Sequence, residues 1–290
     1  MLGVINLYKP KGLSSRTAID DVGRLLPGKV RLGHAGTLDP MAHGVLIVCA
    51  GAATRLIDIA QQLPKTYLAR FEFGKRSDTE DITGNVESLG PVPEFSIDQL
   101  RTVTDTFVGE IMQTPPQFSA VKVDGQRAYA LARRGQAAEI RPRMVRVDSI
   151  EIVALDMPHV TLRIRTGKGV YVRTLGRDIA KAFGSDAVMT ALERSAIGPF
   201  HVADCVVASD CSGDASQWLL PPSALTAHLP QMPVSAAQVH SLRHGRKILR
   251  PTAFVPPISA AIDDQGRLIA ILEAEGQRCR SKINFAPLLD

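Results

Sequence analysis

A dozen residues, Gly33-His34-Ala35-Gly36-Thr37-Leu38-Asp39-Pro40-Met41-Ala42-His43-Gly44, run straight into the apolar stretch at 45–50. The glycines permit backbone angles closed to other residues. Pro40 fixes its own φ and drives Asp39 out of the helical region. Any fold of this chain must therefore carry a stiff, non-helical loop that displays a carboxylate directly before a buried strand. Such a carboxylate serves as a nucleophile, a general base or a metal ligand. Its plainer role is to cap an Asp-Pro turn. His34, Asp39 and His43 also offer three potential metal ligands within ten residues. Nothing in the glycines or the Asp-Pro turn makes them converge.

Apolar spacing around this loop alternates between the two regular periods. Residues 3–7 read as a strand and 9–12 as a turn, and Ser14 or Ser15 caps a helix with Ala18, Ile19, Val22, Leu25 and Leu26 on one face. A strand at 45–50 and a helix at 53–62 follow. Residues 65–73 alternate, with Tyr67, Ala69, Phe71 and Phe73 sharing a face. Residues 74–84 are polar and read as a surface loop, and their acids lack the glycine and distal glutamate of a calcium loop. A helix is expected at 97–108. The pair Pro115-Pro116 makes 113–125 a protruding loop before an Arg-rich helix from Arg127 to Arg134. Residues 145–155 and 160–166 read as a hairpin, 167–179 as strand into helix, and 189–194 as a short helix. Arg173 falls among apolar neighbours, where an arginine needs a carboxylate, Asp178 or another acid. Prolines at 221, 222, 230 and 233 mark a change of composition, placing a domain boundary near 230. Short strands at 258–262, 268–274 and 279–285 follow, with a helix near 235–243.

A chain of 290 residues suffices for one large domain with a small appendage. No apolar run reaches the ~18 residues that span a bilayer. The first residues lack the pattern of a signal peptide, so a cytoplasmic location is expected. The formal net charge is +5, and residues 127–146 hold six arginines against one acid, Glu139. That segment suits a solvated helix face or the phosphates of a nucleic acid. Cysteines 49, 205, 211 and 279 form neither a CxxC pair nor a metal-ligand spacing, so no disulfide or metal site is expected.

The Gly33–Gly44 loop resembles the catalytic loop of the tRNA pseudouridine-55 synthases, the TruB family, which isomerise a uridine in the T-loop of tRNA. Lys9-Pro10-Lys11-Gly12-Leu13-Ser14-Ser15, Lys65-Thr66-Tyr67, Asp78-Thr79-Glu80-Asp81-Ile82-Thr83-Gly84 and the 169–180 segment resemble its further motifs. The resemblance covers nearly the whole chain. It implies an α+β pseudouridine synthase fold, a mixed and mostly antiparallel sheet flanked by helices. A catalytic domain at 1–230 would carry an RNA-gripping insertion at 113–143, and 231–290 would form a small PUA-like β-barrel that binds RNA.

It further implies Asp39 as the nucleophile, paired with Arg173, which would keep the carboxylate charged and oriented. Tyr67 would stack on the extruded base and help move the C5 proton. His34 would fill the place the base vacates, Lys9 and Asp81 would support the site, and Tyr171 and Leu192 would line it. The implied reaction needs no cofactor and no metal. The expected partner is the tRNA T-arm, bound by a monomer with no membrane involved. Two rivals stand beside this reading. One is a metal-dependent hydrolase using His34, Asp39 and His43, and the other an RNA-binding or chaperone protein in which Asp39 is incidental.

Overall fold

The computed structural model describes residues 2–211 and 215–288. Along Lys65–Phe73 every second side chain is buried, so Tyr67, Ala69, Phe71 and Phe73 form one apolar face. That strand lies inside a sheet ordered Leu2–Lys9, His43–Gly51, Ala187–Ile197, Lys65–Phe73, His159–Thr166, Arg143–Asp156, Gly109–Gln113. The expected hairpin is present, with Asp156 opposite His159 at its closed end. Along this order all pairings but one are antiparallel. The exception joins His43–Gly51 to Ala187–Ile197 at only two positions, Glu193 opposite His43 and Arg194 opposite Gly44. The sheet is thus two antiparallel halves meeting at a narrow seam, and the Asp39 loop enters the strand at that seam.

The stretch expected as a helix at 189–194 is instead the central part of the Ala187–Ile197 strand. Met, Ala, Leu, Glu and Arg favour helix locally, but pairing on both flanks overrides that preference. Register shifts between Met189 and Ala191 and between Arg194 and Ala196 break the alternation. Met189 and Leu192, three residues apart, therefore both face the same core. A bulged strand has imitated the helical period.

Helix Val172–Lys181 buries Val172, Leu175, Ile179 and Ala180 on the Tyr67–Phe73 face. Gly176 allows this, since a Cβ there would stand 2.0 Å from the Phe71 ring. The close approach sets the first turn of the helix, with Arg173, against the sheet. On the other half, helix Ser15–Gly23 covers Ile5, Leu7, Leu46 and Val48. Ser14 is its cap, accepting from the Thr17 N–H at 3.0 Å.

Two further expectations need adjusting. Residues 74–84 are not wholly a surface loop. Lys75–Ser77 pairs with Val86–Ser88 as an outlying ribbon, but Glu80 and Asp81 turn inward and are buried. The Arg-rich helix is only Ala128–Ala132, because Arg127 belongs to a small strand pair, Lys122–Val123 with Gln126–Arg127. Ala128, Ala138 and Ile140 give this segment a small core of its own.

The C-terminal strands form a second sheet, ordered Gln231–Pro233, Ile258–Ile262, Leu268–Glu275, Arg278–Asn284, Ile248–Leu249. One side of it packs on Met232, Leu242 and Phe254. The other shares a core with the first sheet, where Ala260, Leu268, Ile271 and Phe285 meet Val4, Val45, Ile47 and Leu56. The architecture is α+β, as expected.

Candidate active site

Backbone contacts from three directions fix the loop. The Ala35 N–H donates to Ile47 O at 2.9 Å, and the Ala42 N–H closes the turn on Asp39 O at 3.1 Å. The buried Ser15 hydroxyl both accepts from the Leu38 N–H and donates to the Leu38 carbonyl, each at 2.9 Å. Lys9 is fully buried and its ammonium donates to the carbonyls of Pro10 and Leu13 at 2.8 Å and of Pro40 at 3.4 Å. Lys9 thus supports the turn after Asp39 rather than reaching solvent.

Asp39 and Arg173 meet across 134 residues of sequence. Arg173 Nε lies 3.0 Å from Asp39 Oδ2, and its Nη2 donates to Oδ1 at 3.4 Å. This two-point grip orients the carboxylate as a single contact cannot. The Asp39 side chain keeps 31% of its exposure while that of Arg173 keeps 6%, so the acid is presented and the base is concealed. Arg173 Nη1 donates to Thr79 O at 2.6 Å and lies 3.5 Å from Asp81 Oδ2, and Nη2 also donates to Phe118 O at 3.2 Å. Asp178, left open as a partner by the residues alone, is taken by Arg177 at 2.8 Å.

Asp81 in turn accepts from Thr79 Oγ1 at 2.8 Å and from the Thr83 N–H at 2.9 Å. Its neighbour Glu80 accepts from Thr174 Oγ1 at 2.6 Å and pairs with Arg177. Burial pushes the Glu80 carboxyl above the ordinary carboxylate range, against the pull of Arg177 and Thr174. Thr79, Glu80 and Asp81 are therefore sewn in sequence onto one helix face. Glu80 went unread in the sequence, where it is one acid among several in a polar stretch.

Beneath the loop, Leu38, Ala42, Tyr67 and Leu192 belong to one buried cluster, with Met41 packed against it. A phenol and a leucine so placed make an apolar floor. His34 ends a short strand opposite Val48, its Nδ1 buried without a hydrogen-bond partner, and burial lowers its pKa. Tyr171 caps the Arg173 helix. Gln113 clamps its backbone, accepting from the N–H at 2.8 Å and donating to the carbonyl at 3.1 Å, and Arg143 stands 5.3 Å over its ring. Gln113 and Arg194 were not singled out by sequence reasoning, and Ser15 was read only as a candidate helix cap, a place that Ser14 takes while Ser15 holds Leu38. Their partners are backbone groups distant in sequence, which no local pattern announces.

The His34, Asp39, His43 set does not assemble. Among the described residues no group of three or more His, Cys, Asp or Glu converges as a metal site requires. His43 Nδ1 instead lies 3.3 Å from the Tyr8 hydroxyl and 4.0 Å from Glu193.

Two buried lysines make a pH prediction. Burial pulls Lys9 and Lys65 down from 10.5 to about 8. Between those values the unfolded chain holds protons that the folded chain has released, so stability rises with pH across the window. Below about 8 both states are protonated and the cost of burying the charge is present in full. Urea unfolding of wild type and Lys9→Met from pH 7.5 to 10 is expected to show a shallower rise in the variant. Equal slopes would count against the assignment.

The chain matches two family models, "TruB family pseudouridylate synthase (N terminal domain)" over residues 24–172 and "tRNA Pseudouridine synthase II, C terminal" over residues 229–286. It is 34% identical over 294 residues to the tRNA pseudouridine synthase B of Dehalococcoides mccartyi, covering 99% of this chain and 98% of that protein. The enzyme of the same name from Azoarcus sp. is 39% identical over 253 residues, 86% of this chain and 84% of its own. Among solved structures, the archaeal box H/ACA sRNP Nop10–Cbf5 complex superposes with a TM-score of 0.73 at 25% identity, over 98% of this chain and 86% of the other. An H/ACA RNP bound to a substrate RNA containing 2′-deoxyuridine shares the fold, with a TM-score of 0.75 at 24% identity, over 98% of this chain and 84% of that one. The chain belongs to the TruB family of pseudouridylate synthases, enzymes that isomerise uridine in tRNA to pseudouridine.

Proposed function

We propose that this chain isomerises uridine 55 in the T-loop of tRNA to pseudouridine, with Asp39 as the nucleophile. The observation that carries the reading is the Asp39 carboxylate, gripped at two points by a concealed guanidinium and part-exposed above a floor that includes Tyr67 and Leu192. The reaction breaks the C1′–N1 bond, turns the freed uracil and joins C1′ to C5. The C5 proton is lost and N1 gains one, so atoms and electrons balance without a redox partner. A stacked base is out of reach, and extruding it costs a few kcal/mol. Tyr67 receives the extruded ring on its face and its hydroxyl serves the C5 proton. His34 fills the vacated place in the stack. Lys9 and Asp81 hold the loop and Arg173, and Tyr171 and Leu192 line the cleft.

In this reading residues 1–230 are the catalytic unit and 231–290 an RNA-binding appendage of a cytoplasmic monomer. Segment 113–143 grips the T-arm. Arg127 and Arg133 flank the Tyr129 ring at 6.0 and 5.6 Å, presenting charge beside an aromatic face. Limited proteolysis is expected to cut 113–143 more slowly when tRNA is present. Equal cleavage with and without tRNA would remove the gripping role.

The decisive experiment incubates the protein with a T-arm transcript and maps pseudouridine by chemical labelling and primer extension. One modified position, uridine 55, is expected, and none when that uridine is replaced by cytidine. Product at other uridines, or none on a folded T-arm, would overturn the assignment.

A further inference from the structure

Arg194 has the largest fully buried side chain among the described residues, and no carboxylate pairs with it. Burying an uncompensated guanidinium is costly, so what it contacts needs a reason. Its Nε donates to Val45 O at 2.7 Å, its Nη1 to Thr37 O at 3.2 Å and its Nη2 to Gly36 O at 3.2 Å. Those carbonyls belong to the two stems of the Asp39 loop, Gly36 and Thr37 on the way in and Val45 on the way out. One planar fork therefore ties both stems together, and every nitrogen of that fork is used.

The backbone of the same residue closes the arrangement. Arg194 pairs with Gly44 across the parallel seam. Gly44 has φ +109, and a Cβ there would stand 2.3 Å from the Arg194 carbonyl oxygen. Arg194 also lies opposite Tyr67 across the antiparallel pair. A single residue thus contacts both ends of the loop and the strand that carries the aromatic floor.

We propose that Arg194 is a positioning residue, a clamp on both stems of the loop that sets where the Asp39 carboxylate stands relative to Arg173 and Tyr67. This rests on the reading of Asp39 as the reacting group. A general core role would be served by an aliphatic side chain of similar volume, which avoids burying a charge. A fork across two stems favours guanidinium, whose three nitrogens are held apart in one rigid plane, whereas the donors of lysine radiate from a single nitrogen.

The test compares wild type with Arg194→Lys and Arg194→Gln, with Asp39→Asn as a separate control. Melting temperature, T-arm dissociation constant and single-turnover rate at saturating enzyme are measured well below each melting temperature. Displacing a reacting group by about 1 Å costs on the order of 100-fold in rate. Both Arg194 variants are therefore expected to turn over about 100-fold more slowly, with RNA affinity within about twofold of wild type. Lysine, which keeps the charge, is expected to recover melting temperature relative to glutamine without recovering turnover. A role confined to packing would move rate and melting temperature together.

If Asp39→Asn is inactive while folded Arg194→Lys and Arg194→Gln turn over within threefold of wild type, the clamp is overturned. Loss of the fold in both variants overturns it too, since the residue would then be a core element only. If Asp39→Asn itself turns over normally, the reading of Asp39 fails, and the clamp with it, whatever the Arg194 variants do.

Discussion

Replacing Arg173 with methionine is expected to cost about 3–5 kcal/mol of stability, the range for removing one member of a buried ion pair. Arg173 is buried, and its guanidinium bridges Asp39 and Asp81 while donating to the carbonyls of Thr79 and Phe118. Methionine fills similar volume but leaves two facing carboxylates without their shared cation and two carbonyls without a donor. The damage should spread, because Thr79 and Asp81 hold one segment to the helix and Phe118 lies within the 113–143 segment. Arg173→Lys retains the charge and should recover part of the stability. Turnover should stay poor in both variants, since lysine lacks the side-on fork that fixes both oxygens of Asp39. Urea unfolding and single-turnover assays decide this. A methionine variant within about 1 kcal/mol of wild type would show that Arg173 is not the keystone of the pair network.

How much of this was legible in the sequence depends on how local the determinant is. The Asp39 loop was legible because glycine and proline act on their own backbone. The 143–166 hairpin was legible because alternation needs no partner to be seen. The Asp39–Arg173 pair was not legible from residues alone, since Asp178 sits five residues from Arg173 and made an equally good local partner. Only the resemblance chose between them. The strand at 187–197 was misread because the register shift between Met189 and Ala191 gave Met189 and Leu192 the spacing of a helix face. Arg194 was hidden inside that misreading. Glu80 was hidden by its setting, since its partners Thr174 and Arg177 lie 94 and 97 residues away. What the sequence withheld in each case is a pairing between distant segments, decided by where the sheet seam and the helix come to rest.

Asp39→Asn is expected to reduce turnover by about 10⁴-fold or more, the scale of losing a nucleophile rather than a supporting contact. Asparagine has nearly the same shape and can still accept from Arg173 through its carbonyl oxygen. It cannot supply the carboxylate that the proposed reaction uses as its nucleophile. Stability should fall by no more than about 3 kcal/mol, the worth of a hydrogen bond to a charged group, because Asp81 still faces Arg173 at 3.5 Å. RNA affinity should hold within about threefold, since phosphate contacts supply most of it. The expected basic contacts lie elsewhere, at Arg127, Arg133 and Arg143. A T-arm carrying tritium at C5 of uridine 55 makes the test direct, because the isomerisation must release that hydrogen to solvent. Wild type should release it fully within the assay, while Asp39→Asn should bind the same RNA and release none. Tritium release by the variant within tenfold of the wild-type rate would assign the chemistry to another residue and reduce Asp39 to the cap of an Asp-Pro turn.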